Sequence, residues 1–350
     1  MKRFSAAVYG GSGYLGSEAV RRLLSHPEVE LAHVYAADHI GERLGSALPN
    51  LEGKTSLRFE AVPDPAAAPS VDILLLALPH SVSHAVVAGV LASNVRIIDM
   101  SGAFRVDDPA AYAKFYGETH PLPELLGQFH YGLPELQREV LRGARFVASP
   151  GCFATTVELG LLPLARAGWL QGVVQCVGIT GSSGAGATPT LTTHHPVRAG
   201  NLRAYRPLLH NHAPEIREAL TRAGARELQI EFVPVAAPLT RGILATSFAR
   251  VPAEVDVAQL RRAFEDSYAE ERFVILPEGR LPEIVAVAGS NYAEVGFAVG
   301  EAAGGAERTV TVVSALDNLV KGGAGQAIQN MNLMLGLEES LGLTQPGSFP

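Results

Sequence analysis

Cysteine is nearly absent from this sequence, which has only Cys152 and Cys176 among its 350 residues. That scarcity excludes a disulfide framework and a cysteine-rich zinc site, and it suits a reducing compartment. Long hydrophobic runs are also missing, since residues 71–78 are strand-length and contain an acid, so we expect no membrane-spanning segment. The N-terminal apolar run is too short for a signal peptide, and we expect a soluble, cytoplasmic protein.

An excess of positive charge is missing as well. Lysine and arginine total 28 against 35 acidic residues, which gives a formal net charge of −7. A general nucleic-acid groove or a membrane-surface patch is therefore not expected, and we predict neither nucleic acid nor membrane as a partner. The chain is 47% hydrophobic and 18% charged, an ordinary globular balance, and its length suits two domains.

The first part of the chain alternates apolar runs of strand length with helical segments. We predict strands at residues 4–9, 31–36, 73–78, 95–100 and 145–148, and helices at residues 17–25 and 82–91. Continuous apolar strands separated by helices indicate a parallel sheet that is covered on both faces. The predicted fold class is therefore α/β, with a doubly wound Rossmann-type nucleotide domain over residues 1–151.

A glycine-rich turn follows the first predicted strand and opens a helix. Its residues are Gly10, Gly11, Ser12 and Gly13, with Gly16 one turn further on. Glycines let the backbone approach a pyrophosphate, whose charge then lies at the helix N-terminus. The spacing is not the strict fingerprint, and a tight turn without a ligand is the alternative, but the strand–turn–helix context favours a dinucleotide site.

The end of the second predicted strand usually distinguishes the two nicotinamide cofactors. Ala36 ends that strand and is expected to contact the cofactor. Asp38 favours the ribose hydroxyl of NAD, whereas His39 and Arg43 favour the extra phosphate of NADP. These residues alone leave the choice between NAD and NADP open.

Cys152 lies between a predicted strand and a predicted helix, in the turn Ser149-Pro150-Gly151-Cys152. The thiol is therefore at or beside a helix N-terminus, where unpaired amide groups and the helix dipole favour the thiolate. A thiolate is a nucleophile at neutral pH, so the sequence predicts a catalytic cysteine. The alternative is a buried cysteine that acts as a small hydrophobic side chain.

The second part of the chain has a different pattern, with many strands. We predict strands at residues 172–179, 229–235, 242–250, 272–275, 284–288, 293–299 and 309–314, and helices at residues 213–223 and 258–268. This pattern indicates an α+β domain over residues 152–315, with a mixed or antiparallel sheet and helices on one face. Residues 316–350 are predicted to form a C-terminal loop and a helix that packs on the nucleotide domain.

Four segments, in chain order, resemble the N-acetyl-γ-glutamyl-phosphate reductase family. They are residues 10–16, 149–155, 210–216 and 317–332. Within that family the chain is most similar to the lysine-biosynthesis branch, which acts on aminoadipate held by the amino-group carrier protein LysW. The resemblance implies NADPH-dependent reduction of an acyl phosphate to a semialdehyde, through a thioester on Cys152 and a thiohemiacetal.

The resemblance also implies roles for individual residues. His212 matches the acid–base histidine, with His210 as a supporting donor in substrate binding. Arg203 and Arg241 are candidates for holding phosphate or a carboxylate. Asn318 matches a cofactor contact near the nicotinamide.

Two further groups lie near these residues in the sequence. Glu215 follows His212 by three residues and is placed to orient an imidazole. His194 and His195 raise the possibility of a four-histidine metal site with His210 and His212. No step of the implied chemistry needs a metal, so we predict none.

The choice of acyl phosphate depends on small differences. Ala187 stands where enzymes that use the free N-acetylglutamyl substrate usually have a basic residue after the Gly-Ala-Gly loop. The carrier is a small acidic protein, and Arg198, Arg203 and Arg206 would steer it despite the negative net charge. These features favour carrier-bound 2-aminoadipyl 6-phosphate.

Three alternatives remain open at this point. They are an arginine-pathway reductase that uses free N-acetyl-γ-glutamyl phosphate, an aspartate-semialdehyde dehydrogenase, and a nucleotide-binding regulator without catalysis. The segment around His210 and His212 argues against the second, and the combination of Cys152 with His212 argues against the third. We also expect a homo-oligomer, either a dimer or a tetramer, because sheet-rich domains often pair across a symmetric interface.

Overall fold

The structure is a computed structural model that describes residues 2–64, 69–301 and 305–349. The chain divides into two compact units. The first contains residues 1–151 and 323–345, and the second contains residues 152–322 and 346–350. Across the described ranges, no helix combines the length and the apolar character needed to cross a membrane.

The first unit is built on a parallel sheet with flanking helices. Its strands are β1 (Phe4–Tyr9), β2 (Val29–Ala36), β3 (Phe59–Ala61), β4 (Ile73–Leu76), β5 (Arg96–Asp99), β6 (His130–Tyr131) and β7 (Phe146–Ala148). Its helices before the second unit are α1 (Tyr14–Leu24), α2 (Leu44–Ala47), α3 (His80–Val90), α4 (Pro109–Tyr116) and α5 (Pro134–Leu141).

The seven strands lie in the order β3-β2-β1-β4-β5-β7-β6, and every pair of neighbours is parallel. Leu74, Leu76 and Ile97 are fully buried on one face and pack with Val86 and Val90 of α3. The strand order reverses between β1 and β4, and doubly wound sheets bind ligands beyond the carboxyl ends of the strands at such a point. The predicted α/β class is confirmed.

The second unit is built on a mixed sheet. Its strands are β8 (Gln171–Thr180), β9 (Arg203–Ala204), β10 (Arg226–Ala236), β11 (Ile243–Pro252), β12 (Val274–Ile275), β13 (Ala293–Val299) and β14 (Glu307–Leu316). Its helices are α6 (Cys152–Arg166), α7 (His195–Arg198), α8 (His212–Arg222), α9 (Val257–Tyr268) and α10 (Ile284–Val287).

The strand order in this sheet is β12-β13-β14-β11-β8-β10-β9. β8 and β10 are parallel, whereas β11 is antiparallel to both β8 and β14. Helix α6 packs on β11 and β14, and α8 packs on β10. The predicted α+β arrangement is confirmed.

One predicted strand is wrong. Residues 284–288 were expected to be extended, but the chain forms α10 there, with the Ala288 N–H donating to the Ile284 carbonyl at 2.9 Å. A short apolar run fits a buried helical turn as well as a buried strand, because both bury consecutive apolar side chains.

The C-terminal helix α11 (Gly325–Met334) belongs to the first unit, as predicted. It contacts α1, α5 and β5. Its residue Asn332 has Oδ1 at 3.0 Å from His26 Nε2, and Asn330 donates to the Gly132 carbonyl at 2.8 Å. Polar side chains of α11 therefore bond buried groups of the nucleotide domain.

Candidate active site

Cys152 is the first residue of α6 and is partly exposed. A helix N-terminus has unbonded amide groups and the positive end of the helix dipole, and this environment favours negative charge on a side chain there. The next residue, Phe153, packs over β8 at Gly178, where an added Cβ would come within 2.5 Å of its ring. Glycine at that position therefore lets the start of α6 lie close to the sheet.

His210 is buried among aromatic rings. Its ring centroid lies 5.6 Å from Phe153, 5.4 Å from Phe232 and 4.6 Å from His212. Burial lowers the pKa of His210 to about 4, and the charge of Arg206 acts in the same direction. Its Nδ1 accepts the backbone N–H of His212 at 3.2 Å, so the neutral ring carries its proton on Nε2.

His212 is the first residue of α8 and contacts the same cluster. Its Nε2 lies 3.8 Å from Oε1 of Glu215, whose side chain is fully buried. Its ring centroid is 6.1 Å from that of Phe153, the residue that follows Cys152. Because α6 and α8 pack together, their N-terminal residues meet in one place.

Tyr205 is a site residue that the sequence did not indicate. Burial raises its pKa, and the charge of Cys152 raises it further, so the phenol lies within electrostatic reach of the thiol. Arg203 and Arg206 oppose this shift, so their guanidinium groups lie near the same phenol. Arg203 is exposed on β9. A single tyrosine in a polar loop has no periodic or motif signal that distinguishes it.

Arg241 and Asn318 lie at the end of the sheet where β11 begins and β14 ends. Arg241 Nε is 3.2 Å from Oδ2 of the fully buried Asp317. The Asn318 oxygen accepts the Gly242 N–H at 2.7 Å, and its amide donates to Ser183 at 3.0 Å. The side chain of Asn318 therefore links two loops of the second unit, and its cofactor contact stays a prediction.

The glycine turn has the geometry of a phosphate cradle. Gly10 has a positive φ of 77°, and its N–H donates to the Tyr35 carbonyl at 2.9 Å. A Cβ on Gly16 would lie 2.1 Å from the Gly10 oxygen, so the helix start approaches the turn closely. A Cβ on Gly13 would meet only that oxygen, at 3.5 Å, which leaves open space in front of α1. Gly10, Gly11, Ser12 and Gly13 therefore fit a dinucleotide pyrophosphate.

The end of β2 carries both acidic and basic side chains. Ala36 is buried at the strand end, and His39 Nδ1 lies 3.3 Å from Glu42. The backbones of Arg43 and Arg58 pair in an isolated antiparallel β-bridge. The Arg58 guanidinium donates to the Gly41 carbonyl at 2.6 Å. Arg58 was not predicted, because it lies far from the strand end in sequence.

His194 and His195 differ from the second cysteine, Cys176, in their exposure. His194 and His195 are exposed around the start of α7. Among the residues that the structure describes, no three potential metal ligands lie close enough together to hold an ion. Cys176 is buried on β8, and burial raises the pKa of its thiol to about 12.

Two family models match the chain. The semialdehyde dehydrogenase NAD binding domain matches residues 5–144, and the semialdehyde dehydrogenase dimerisation domain matches residues 152–318. The first unit thus carries an NAD(P)-binding domain, in agreement with the geometry of the glycine turn.

Curated relatives match nearly the whole chain. A Thermomicrobium roseum protein named LysW-L-2-aminoadipate 6-phosphate reductase is 44% identical, over 99% of this chain and 99% of its own. An N-acetyl-gamma-glutamyl-phosphate reductase of Desulforudis audaxviator is 41% identical, over 98% of this chain and 99% of its own. The chain is thus similar to reductases that are named for two different acyl phosphates.

Solved structures share the fold at low identity. Aspartate semialdehyde dehydrogenase II of Vibrio cholerae, complexed with ASA, has a TM-score of 0.71 at 18% identity, covering 96% of this chain and 99% of its own. The Candida albicans aspartate semialdehyde dehydrogenase with NADP has a TM-score of 0.66 at 14% identity, covering 95% of this chain and 98% of its own. With reductase relatives over its full length and both domain models matched, this chain belongs to the semialdehyde dehydrogenase family of oxidoreductases.

Proposed function

We propose that this protein reduces an acyl phosphate to a semialdehyde with NADPH, using Cys152 as the nucleophile. The carrying observation is that Cys152 begins α6 and that the next residue, Phe153, packs against the rings of His210 and His212. Overall, acyl phosphate, NADPH and a proton give aldehyde, inorganic phosphate and NADP⁺.

The first step belongs to Cys152. Its sulfur attacks the acyl carbon, a C–S bond forms, and the C–O bond to phosphate breaks, so phosphate leaves with that electron pair. NADPH, when bound, would supply the hydride for the reduction. The amide groups at the start of α6 stabilise negative charge on sulfur before attack and after the aldehyde leaves.

His212 is the group to which we assign the proton transfers. The oxygen of the thiohemiacetal must gain a proton as it forms and lose one as the C–S bond breaks, and an imidazole does both near neutral pH. Glu215, 3.8 Å from Nε2, orients the ring. His210 holds the backbone of His212 through Nδ1, and we assign its Nε2–H to the substrate.

In the first unit, the glycine turn and the end of β2 would hold the cofactor, and we assign Asn318 to the cofactor as the family resemblance implies. Gly10, Gly11, Ser12 and Gly13 would hold the pyrophosphate, and Ala36 would lie beneath the adenosine ribose. We assign NADP rather than NAD, since Arg43 and Arg58, whose backbones pair with each other after β2, are both exposed and basic. Arg43→Ala with Arg58→Ala should weaken NADPH binding while NADH binding changes little.

We assign carrier-bound 2-aminoadipyl 6-phosphate as the substrate. No aspartate or glutamate occurs between Glu158 and Glu215, although the whole chain is acidic. That stretch contains Arg198, Arg203 and Arg206, and its exposed leucines include Leu191 and Leu202. A stretch that is basic and carries exposed apolar side chains suits an acidic carrier such as LysW.

The second candidate is free N-acetyl-γ-glutamyl phosphate, because a relative named for that substrate is 41% identical. NADPH oxidation should be measured with each acyl phosphate in parallel. The proposal expects the carrier-bound form to give a kcat/KM at least about ten-fold higher, and Arg203→Glu with Arg206→Glu to remove that preference. Efficient turnover of the free substrate, with none of the carrier-bound form, would show that N-acetyl-γ-glutamyl phosphate is the substrate.

We also assign the open face of the second unit's sheet to a homodimer. Val173, Val177 and Phe248 project from β8 and β11 on the face away from α6, and all three are exposed. A sheet face with exposed valine and phenylalanine side chains is typical of a surface that a second copy covers. The matched dimerisation-domain model spans these strands.

A further inference from the structure

The loop after β14 lies directly against the nucleophile. A Cβ added to Gly322 would come within 2.9 Å of Cys152 Cβ and 3.2 Å of its Cα. It would also lie 3.0 Å from Leu316, so neither side offers room. The backbone of Gly322 is therefore in van der Waals contact with Cys152, and any larger residue must displace one of the two.

A single buried carboxylate fixes this loop. Asp317 is fully buried, and its Oδ1 accepts the N–H groups of Leu319 at 2.8 Å and Val320 at 3.1 Å. Its Oδ2 accepts the Gly289 N–H at 2.7 Å, and its backbone carbonyl accepts the Gly322 N–H at 2.9 Å. Asp317 thus sets the path of the backbone that leads to Gly322.

The same carboxylate also holds Arg241. The contact is made by Nε, 3.2 Å from Oδ2, and the arginine side chain is 30% exposed while Asp317 is fully buried. The guanidinium therefore lies beside the buried carboxylate, and part of the arginine side chain is exposed. A planar group of this kind binds carboxylate and phosphate oxygens in pairs.

We propose that Asp317 is a positioning residue that sets two parts of the site at once, the backbone behind Cys152 and the guanidinium of Arg241. The proposal rests on the proposed function for the role of Arg241 as a substrate-anion ligand. Its role behind Cys152 depends only on the contacts of Gly322. Displacement of a reacting group by about 1 Å costs about a hundred-fold in rate, so a residue that fixes both groups controls turnover without touching substrate.

The test uses the full chain and two readouts. The first is the rate of Cys152 alkylation by iodoacetamide in the absence of substrate, and the second is KM for the acyl phosphate. Gly322→Ala should change the alkylation rate and kcat, and Arg241→Gln should raise KM alone. Asp317→Asn should do both, changing alkylation by about three-fold or more and raising KM about ten-fold or more.

The decisive comparison combines the substitutions at Asp317 and Arg241 in one protein. In an Arg241→Gln background, Asp317→Asn should raise KM no further, because the ion pair is already absent. Arg280→Gln is the matched control, since Arg280 also pairs with a buried carboxylate, Glu294, and it should leave both readouts unchanged. Full additivity of the two substitutions, or an alkylation rate unchanged by Asp317→Asn in a folded protein, would overturn the proposal.

Two further measurements distinguish failure of this proposal from a folding defect and from failure of the proposed function. If Asp317→Asn fails to fold, Arg241→Lys keeps the charge but not the planar group, and it should raise KM with unchanged alkylation. If the wild-type chain reduces no acyl phosphate, the proposed function fails, yet the alkylation rates of Gly322→Ala and Asp317→Asn still decide whether Asp317 positions Cys152.

Discussion

Two of the reactive side chains occupy equivalent positions, because Cys152 begins α6 and His212 begins α8. A helix N-terminus presents unbonded N–H groups and the positive end of the helix dipole, so a side chain there is polarised. The buried ring of His210 lies between these starts and fixes the backbone of His212. Helix packing in the second unit, rather than a long flexible loop, therefore brings Phe153, the neighbour of Cys152, against the imidazole of His212.

His212→Gln tests the acid–base assignment. The variant keeps a hydrogen-bonding side chain but cannot transfer a proton near neutral pH, so kcat should fall by about 10²–10⁴-fold. Alkylation of Cys152 should persist, since the thiol and its helix are unchanged. His130→Gln, at an exposed position in the first unit, is the control and should have wild-type kcat. A kcat for His212→Gln within about three-fold of wild type would remove His212 from the mechanism.

At this scale the sequence predicts residues that carry motifs and misses those that act through contacts. Cys152 was predicted from its turn and helix, and His212 from the segment that contains it. Tyr205 and Asp317 were missed, because their importance depends on what lies beside them in space. The order of residues does not show that charged groups lie near the Tyr205 phenol. It also does not show that Asp317 accepts hydrogen bonds from several backbone amides.

Helix α6 contains a proline in its interior, and a second helix compensates for it. Pro163 has no N–H, so the Leu159 carbonyl four residues earlier cannot accept its usual helical bond. The Tyr268 hydroxyl, at the end of α9, donates to that carbonyl. The bond satisfies a buried acceptor and also ties α9 to the helix that carries Cys152.

Tyr268→Phe should therefore destabilise the protein by about 1–3 kcal/mol, the cost of leaving a buried carbonyl unsatisfied. In a Pro163→Ala background, the new backbone N–H of residue 163 can donate to the Leu159 carbonyl. Tyr268→Phe should then cost less than about 0.5 kcal/mol of stability. Urea denaturation of the four proteins measures the coupling. Equal costs in both backgrounds would show that the hydroxyl has no role in satisfying the helix.

The bounds of long helices and strands with a clear hydrophobic periodicity were predicted closely, whereas those of short elements were not. The predicted bounds of residues 4–9 and 293–299 coincide with β1 and β13. β3 and β6, of three and two residues, were missed because pairing with neighbouring strands defines them and no period can develop over so short a run. The wrong strand at residues 284–288 has the same cause, since a five-residue run fits either structure.

For the whole molecule, the open sheet face leads to a prediction about assembly. Phe248→Glu with Val177→Asp places two charges on that face, and they should convert the dimer to a monomer at micromolar concentration. Size-exclusion chromatography with light scattering measures the change. Val140→Glu, on an equally exposed valine in the first unit, should leave the dimer intact. A wild-type monomer, or a double variant that stays dimeric, would contradict the assigned interface.

Stability should also depend on pH through buried neutral histidines. Burial lowers the pKa of His84 to about 4, and the charges of His120 and His80 add to the effect. Its ordinary pKa of about 6.5 applies to the unfolded chain, so the unfolded state binds the proton first as the pH falls. The contribution of His84 is present above pH 6.5 and is lost as the pH falls towards 4.

Between pH 7 and pH 4.5, we expect His84 to account for a loss of about 2–3 kcal/mol in the free energy of unfolding. In His84→Phe the fall over this range should be smaller by that amount, whereas His130→Gln should reproduce the wild-type curve. Urea denaturation at several pH values gives the comparison. Parallel curves for wild type and His84→Phe would show that this histidine does not titrate on unfolding.

The most direct test of the central claim is to look for acyl transfer to Cys152. The wild-type chain is mixed with each candidate acyl phosphate without NADPH, and the intact mass and released phosphate are measured together. We predict a mass increase equal to the acyl group, lost on adding NADPH, with about one phosphate released per active chain, and neither event in Cys152→Ala. NADPH-dependent turnover with no adduct and no early phosphate release, or turnover that persists in Cys152→Ala, would contradict covalent catalysis by this thiol.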